Sequence, residues 1–297
     1  MKMVKSKTFG YRAASTIIYS IVILATFISL APLINTLAIS LSAAGPASAG
    51  QVTFLPVGFN INAYFRIMND AAFWRAFMVS LQRVALGVPI NLLLVISMAF
   101  PLSRSTKQFR QRNIYMWILV FTMLFNGGII PTFFVVNRLG LINTIWSLVL
   151  PGAVGVFNVI LMMNFFKGIP SALEEAAIID GASPLTILIK VFLPISLPSL
   201  ATITLFTIVG HWNTFFDGLI YINDQSRIPL QTYLQQLSLS AEMMREVSTE
   251  EMRLLNELSA LTLNAAKILV SMIPVLIIYP VMQRFLIKGL VIGSVKE

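Results

Sequence analysis

The sequence predicts an all-α integral membrane protein with about six transmembrane helices. Of its 297 residues, 57% are hydrophobic and only 11% are charged, and the mean hydropathy is +0.83. A soluble domain carries roughly a quarter of charged residues, so most of this exterior must face a medium other than water. Long apolar runs alternate with short basic segments, a pattern typical of a multi-pass membrane protein.

Each predicted span is an apolar run of about 20 residues or more, long enough to cross the hydrocarbon core. The first run follows a basic N-terminal segment, and basic residues or prolines separate the later runs. A cleavable signal peptide is the alternative at the N-terminus, since Ala47-Ser48-Ala49 has an A-x-A pattern. The run before it is about twice as long as a signal core, which favours a span. The predicted spans are 14–42, 74–101, 114–137, 142–166, 196–222 and 261–287.

Basic residues in the short loops predict the orientation. With the N-terminus inside, thirteen of the 21 Lys and Arg residues are cytoplasmic, six are on the outer side, and Arg83 and Lys267 fall within spans. An even number of spans makes both termini cytoplasmic (N-in, C-in). The predicted organisation is a cytoplasmic N-terminus at 1–13, a transmembrane domain at 14–290 and a cytoplasmic tail at 291–297. Outer loops at 43–73 and 223–260 and a cytoplasmic loop at 167–196 lie within the domain.

The second outer loop contains a strong helix-forming segment, in which Ser248 and Glu251 have the spacing of a capping box. Two interpretations are open for this helix. It is either a solvated surface helix or a docking element for an extracytoplasmic partner.

The sequence lacks the motifs that are typical of several functional classes. The chain has no cysteine and one histidine, His211, which excludes a thiolate site and a multi-histidine metal centre. It contains no phosphate-binding loop of the G-x-x-x-x-G-K-[ST] type and no H-E-x-x-H or G-x-S-x-G motif. A net charge of +9 does not indicate nucleic acid, because the basic residues lie between apolar runs. We therefore expect a protein that is not an enzyme and that binds no cofactor itself.

The cytoplasmic loop at 167–196 has the most informative pattern. Pro170 and Ser171 open a helix, and Ser171 and Glu174 have capping-box spacing. Gly181 is suited to end that helix in a left-handed conformation. Ser183 caps a second helix with Pro184 in its first position, and this helix is predicted to stop at Pro194.

This loop resembles the E-A-A-x3-G-x9-I-x-L-P motif of ABC importer permeases. Glu175-Ala176-Ala177, Gly181 and Leu193-Pro194 match, and Val191 replaces the usual isoleucine. The resemblance implies a type I importer fold and a coupling helix that docks on an ATPase. Glu175 would make the polar contact, the two alanines would allow close approach, and Gly181 would form the turn. The implied coupling residues are Glu174, Glu175, Ala176, Ala177, Asp180, Gly181 and Pro194.

The resemblance covers most of the chain, including segments 56–68, 125–170, 210–222 and 279–297. It is strongest to the smaller, maltose-type permease and to the polysaccharide and complex-oligosaccharide subgroup, with Ala63 where asparagine is usual. It implies location in the bacterial plasma (inner) membrane and a heterodimer with a second homologous permease. The other implied partners are two ATPase subunits that hold ATP and Mg²⁺, an extracytoplasmic solute-binding protein and a sugar substrate.

Polar residues inside spans usually face a cavity or another helix. Asn213 and Asp217 are four residues apart and share a helix face, and Trp212 offers an aromatic surface for a sugar ring. Hydrogen bonding between helices is the alternative role for these residues. The substrate-path candidates are Asn126, Asn158, Trp212, Asn213 and Asp217.

Two other functions are open from sequence alone. An ion-coupled secondary transporter would need a buried acid–base relay or inverted repeats, and only Asp217 and Lys267 are clear intramembrane charges. An ABC permease for a non-sugar solute is the second. For a charged polymer, Arg83 and Lys267 are candidate cations, although both are equally suited to ion pairing or snorkelling.

Overall fold

The computed structural model describes residues 9–247 and 250–293, which form helices and no strands. Part of each predicted cytoplasmic end, 1–8 and 294–297, lies outside the described residues, as does Ser248 of the predicted capping box. The helices are α1 Phe9–Ser40, α2 Ala44–Ser48, α3 Asn62–Met68, α4 Ala71–Ser103, α5 Arg112–Leu124, α6 Ile129–Arg138, α7 Ile145–Val149, α8 Val156–Lys167, α9 Ser171–Ile179, α10 Pro184–Ile187, α11 Leu193–Ile195, α12 Leu197–Asn213, α13 Phe216–Tyr221, α14 Leu230–Val247 and α15 Glu250–Gly293, with a π-helical turn at Leu188–Phe192.

Within the described residues, three helical segments are long and apolar enough to cross a membrane by themselves, Arg12–Ser40, Ala71–Ser103 and Ala260–Phe285. Three further spans are possible if each of three bent pairs of consecutive helices counts as one span, which gives six spans in the described residues. Their bends measure 114° between α5 and α6, 74° between α8 and α9, and 82° between Pro184–Ile195 and α12. The count agrees with about six spans, but half of them are not straight helices.

The predicted spans 114–137, 142–166 and 196–222 are each interrupted in the structure. Gly128 has φ +88° and its N–H donates to Asn126 Oδ1 over 2.9 Å, which breaks the first of them. Pro151 and Gly152 lie in the gap between α7 and α8, and Thr214 is extended between α12 and α13. Side-chain hydrogen bonds satisfy part of the freed backbone, which is the condition for broken helices at membrane depth.

The chain forms two compact units, and the first comprises Met1–Asp70 with Leu237–Val270. Its α1 is hydrophobic on all sides and, over its apolar window, has no buried residue. The C-terminal end of α1 is anchored, since Asn35 Nδ2 donates to Thr53 O over 2.7 Å and Ser40 Oγ is 2.8 Å from Tyr64 Oη. Lys267 Nζ lies 2.7 Å from Asp70 Oδ2. The intramembrane charge predicted at Lys267 is therefore paired.

The second unit comprises Ala71–Gln236 with Ser271–Glu297. Helix α4 runs through its core, where Val95 and Ala99 are fully buried among residues of α8 and α12 such as Val159 and Ile203. The same cluster continues to Phe192, which belongs to the 167–196 loop. Helix α4 thus connects the core of the unit with that loop.

Candidate functional site

The turn between α9 and α10 has the predicted helix–glycine–helix form. Gly181 has φ +77°, its N–H donates to Ile178 O, and the Ala182 N–H donates to Ala177 O, both over 2.9 Å. These two bonds form a Schellman motif, which requires a left-handed residue at this position. Ser183 Oγ then accepts the Thr186 N–H over 3.3 Å and caps the following helix.

Two local predictions for this loop were wrong. Ser171 does not cap α9: Pro170 is the cap residue, no side chain bonds the free N–H groups, and Glu174 pairs with Arg104 instead. Ser171 is already helical, so its hydroxyl cannot take the capping geometry. Pro194 does not stop the second helix, which continues to Ile195. A π-helical turn precedes the proline, and such a turn relieves the missing N–H and the ring clash.

The two adjacent glutamates of α9 have different surroundings. The Glu174 carboxylate forms an ion pair with Arg104, which directly follows α4. The Arg104 guanidinium lies over the rings of Phe100 and Phe192, 4.6 and 4.5 Å from their centroids. Glu175 is exposed. Glu174 therefore holds α9 against the end of α4 through Arg104, whereas the Glu175 side chain is exposed to contact from outside.

The exposed side of the loop combines apolar and acidic groups. Ile179 is 85% exposed and Ile178 is 54% exposed, beside exposed Glu175 and Asp180. Ala176 is also exposed, whereas Ala177 packs against the core of the second unit. An apolar surface with a polar rim is typical of a protein–protein contact. We call this side, formed by Glu175, Ala176, Ile178, Ile179 and Asp180, the loop face.

One polar cluster in the spans crosses three chain segments. Asn91 of α4 donates to Ala153 O over 2.8 Å and accepts from Thr207 Oγ1 over 2.9 Å. Asn158 Nδ2 lies 3.5 Å from the same Thr207 oxygen. Asn158 thus takes part in a hydrogen-bond network between helices, the alternative role expected from sequence.

A second cluster surrounds Arg83 at the break after α12. The Arg83 guanidinium donates to Thr214 O and to Asp217 Oδ1, each over 3.1 Å, and forms an ion pair with Asp217 Oδ2. His211 Nδ1 lies 3.4 Å from Arg83 Nε. Gly87, one turn along α4, leaves the space that the His211 ring occupies. Ion pairing was one of the roles left open for Arg83 from sequence, and the structure shows Asp217 as its partner.

The remaining candidates have separate environments. Trp212 is buried, its Nε1–H donates to Ser271 O over 3.0 Å, and its ring packs edge-on against Phe77. Asn213 is exposed at the end of α12, and exposed Asn126 shapes the break before α6. The described contacts thus do not gather the five candidates into one pocket, and their contact with substrate stays a prediction.

Hydrogen bonds connect the loop after α13 with the segment before α7. Asn143, at φ +62°, accepts from the Asn223 and Asp224 N–H groups over 2.6 and 3.1 Å. Arg227 donates to Asn143 O over 2.7 Å. Hydrogen bonds from the Ser226 side chain and backbone lower the pKa of Asp224, and the nearby Arg227 charge acts in the same direction. Asn143 and Arg227 thus link the loop after α13 to the segment that precedes α7.

The first unit contains a cavity of about 300 Å³ that sequence analysis missed. Amide, hydroxyl and guanidinium groups line it, together with small apolar side chains. Its lining residues are Ser42, Ala44, Asn60, Asn62, Ala63, Arg66, Thr262 and Leu263. The only sequence signal was a polar, asparagine-containing stretch in the outer loop. Among the described residues, no group of three or more His, Cys, Asp and Glu side chains could hold a metal ion.

No protein-family model matches the chain. The polygalacturonan/rhamnogalacturonan transport system permease protein YtcP of Bacillus subtilis is 38% identical over 286 residues, which cover 96% of this chain and 99% of that protein. Protein LplC of the same organism is 35% identical over 269 residues, 91% of this chain and 90% of that protein.

Solved structures agree with these relatives. A chain in the crystal structure of a bacterial ABC transporter involved in the import of the acidic polysaccharide alginate is 33% identical, with a TM-score of 0.82 over 94% of this chain and 98% of that chain. A second alginate-transporter chain has 15% identity and a TM-score of 0.56, over 93% of this chain and 96% of that chain, and shares the fold.

The fold and the loop define a multi-pass membrane permease of an ABC importer. More particularly, the chain belongs to the family of ABC sugar-transport permeases, which lie in the bacterial inner membrane. Such permeases are transport components rather than enzymes, as expected from sequence.

Proposed function

We propose that this permease forms half of the translocation pathway of an importer and that its loop face docks on an ATPase subunit. The observation that carries the proposal is the Gly181 turn, which presents exposed Glu175 and Ile179 on a helix braced by the Glu174–Arg104 pair. A helix fixed in this way can receive force from a partner and pass it into the bundle. Two ATPase subunits with bound ATP and Mg²⁺ supply the energy.

The other partners in this proposal are a second homologous permease and an extracytoplasmic solute-binding protein. The apolar α1, unburied over its apolar window, supports association with lipid or with another membrane chain. A solved alginate ABC transporter of the same fold is in complex with an alginate pentasaccharide-bound periplasmic protein, which supports the binding-protein partner.

We propose an oligosaccharide released from a polysaccharide as the substrate. The relatives that support it include permeases for polygalacturonan/rhamnogalacturonan and for alginate. The cavity in the first unit, with its amide and hydroxyl lining, has chemistry suited to a hydroxyl-rich solute. Arg83 and Lys267 give no support to a charged substrate, because both are paired with aspartates.

A non-sugar solute is the second candidate, favoured by one group of relatives. The sn-glycerol-3-phosphate transport system permease protein UgpE of Escherichia coli is 26% identical over 233 residues, or 75% of this chain. The ion-coupled secondary transporter considered from sequence is disfavoured, because the family works in ABC transport systems.

The test is uptake by proteoliposomes that contain the permease co-expressed with its genomic neighbours. We expect ATP-dependent uptake of oligogalacturonate or another polysaccharide-derived oligosaccharide, and loss of ATPase co-purification on Glu175→Lys. Gln51→Lys, which also adds a lysine to an exposed position but in the outer loop, is the matched control and should retain both. Uptake of glycerol 3-phosphate alone would favour the second candidate, and uptake without ATP would overturn the importer proposal.

A further inference from the structure

Two arginines, Arg83 within α4 and Arg104 directly after it, each pair with a carboxylate of another element. Arg83 pairs with Asp217 of α13, and Arg104, directly after α4, pairs with Glu174 of α9. The two arginines are 21 residues apart in sequence. At about 1.5 Å per helical residue this is about 32 Å, close to the thickness of the hydrocarbon core.

The Arg104 end is built for a fixed geometry. Phe100, Phe166 and Phe192 pack edge-to-face with centroids 5.3–6.2 Å apart, and the guanidinium lies over two of these rings. A planar guanidinium can stack on a ring and bind a carboxylate at once, which a lysine ammonium cannot do in the same way. The Arg104–Glu174 pair therefore connects α9 directly with the end of α4.

Arg83 contacts the discontinuity in the fifth predicted span. Arg83 binds both sides of the break, through the Thr214 carbonyl and the Asp217 carboxylate. Between the two arginines, α4 stays helical with Pro89 and Pro101 inside it, and it is packed into the core around Val95 and Ala99. Packed interiors have low compressibility and transmit strain, so this packing can carry a displacement along α4 from one arginine to the other.

We propose that Arg104 is a positioning residue for transport, which makes α4 follow the coupling loop, and that Arg83 passes this movement to the break between α12 and α13. The inference rests on the proposed docking of the loop on an ATPase. In this proposal, Glu174 transmits force to α4 through Arg104, and Glu175 contacts the ATPase subunit.

The test is a double-mutant cycle on the reconstituted importer, read as sugar molecules taken up per ATP hydrolysed. We expect Arg104→Leu and Glu174→Gln to co-purify with the ATPase and hydrolyse ATP but to lower this ratio at least tenfold. The double variant should be no worse than either single one, because both remove the same link. Arg110→Leu, at an exposed position in the loop that follows α4, is the matched control and should keep the wild-type ratio.

Arg104→Lys keeps the positive charge and replaces Arg104→Leu in the double-mutant cycle if Arg104→Leu does not assemble with the other subunits. Its ratio should lie between those of the wild type and Glu174→Gln. Asp217→Asn tests the far end and should lower the ratio while ATP hydrolysis continues. Additive effects of Arg104 and Glu174 variants, or a parallel fall of uptake and hydrolysis, would overturn the proposal. Failure of the wild-type chain to bind any ATPase would instead overturn the proposed docking on which it rests.

Discussion

At the scale of single residues, the charges buried in the apolar helices are paired. Arg83 and Lys267 each pair with an aspartate, and Arg104 pairs with Glu174. Desolvating two charges offsets much of their attraction, so such pairs contribute little net stability, whereas removing one partner leaves an uncompensated charge. The pairs therefore fix the arrangement of helices more than they stabilise it.

The pair in the first unit gives a direct prediction. Asp70→Leu leaves buried Lys267 without this carboxylate, and we expect a loss of about 3 kcal/mol in the free energy of unfolding. Asp70→Leu/Lys267→Met removes both charges and should recover most of that loss. Thermal unfolding of the detergent-solubilised protein measures both variants. A double variant less stable than Asp70→Leu would contradict this account.

Gly87 gives a second prediction at this scale. A Cβ there would lie 2.7 Å from Cδ2 and Cε1 of His211, so the ring must move and its contact with Arg83 is disturbed. We expect Gly87→Ala to lower the free energy of unfolding by about 1–3 kcal/mol, the range of overpacked sites. Gly210→Ala is the control, since a Cβ at Gly210 has no heavy atom within 4 Å. His211→Ala should relieve the Gly87→Ala defect, and no relief would show that the clash lies elsewhere.

At the scale of elements, the turn after α9 is the feature that depends most on one residue type. Gly181 has φ +77°, and a Cβ there would meet open space, so a substitution strains the backbone without a clash. We expect Gly181→Ala to cost about 1 kcal/mol and to disorder the end of α9, which weakens ATPase binding. Gly152→Ala, also in open space but without a positive φ, is the control. Titration of the purified permease with the ATPase checks both variants, and equal affinities would contradict the role assigned to the turn.

The sequence was informative where a physical signal is local. Gly181 indicated the turn, and Ser183 with Pro184 indicated the second helix cap. The structure contains both features. The wrong predictions concern groups that lie far apart in sequence. Glu174 was expected to cap α9, but it pairs with Arg104, which is 70 residues earlier in the chain. Pro194 failed as a stop because a π-helical turn accommodates it, and this depends on packing around Phe192.

The breaks in the spans were also hidden from hydropathy. An apolar run gives the same average whether the helix is straight or bent, so hydropathy alone gave only the lengths of 114–137 and 196–222 and not the position of a break. The glycine pair at 127–128 signalled the first break, but Thr214 carries no comparable signal. The second break is held by Arg83, a residue 131 positions away in sequence.

At the scale of the whole molecule, the family and the loop together support the proposed assembly of this permease with other subunits. The loop face exposes Ile178 and Ile179 beside two carboxylates, and α1 exposes apolar side chains over its apolar window. Large exposed apolar surfaces on one chain indicate contact with lipid or with another protein. In the proposed importer, the loop face contacts the ATPase, and the apolar helices contact lipid and the second permease.

Site-specific cross-linking tests the docking of the loop face most directly. The chain has no cysteine, so Ala176→Cys introduces a single reactive group into the loop face. With a short photoactivatable cross-linker in the assembled importer, we expect Ala176→Cys to link to the ATPase subunit and Gln51→Cys, in the outer loop, not to link to it. A loop face that gives no ATPase product, or no more than the Gln51→Cys control gives, would contradict the account.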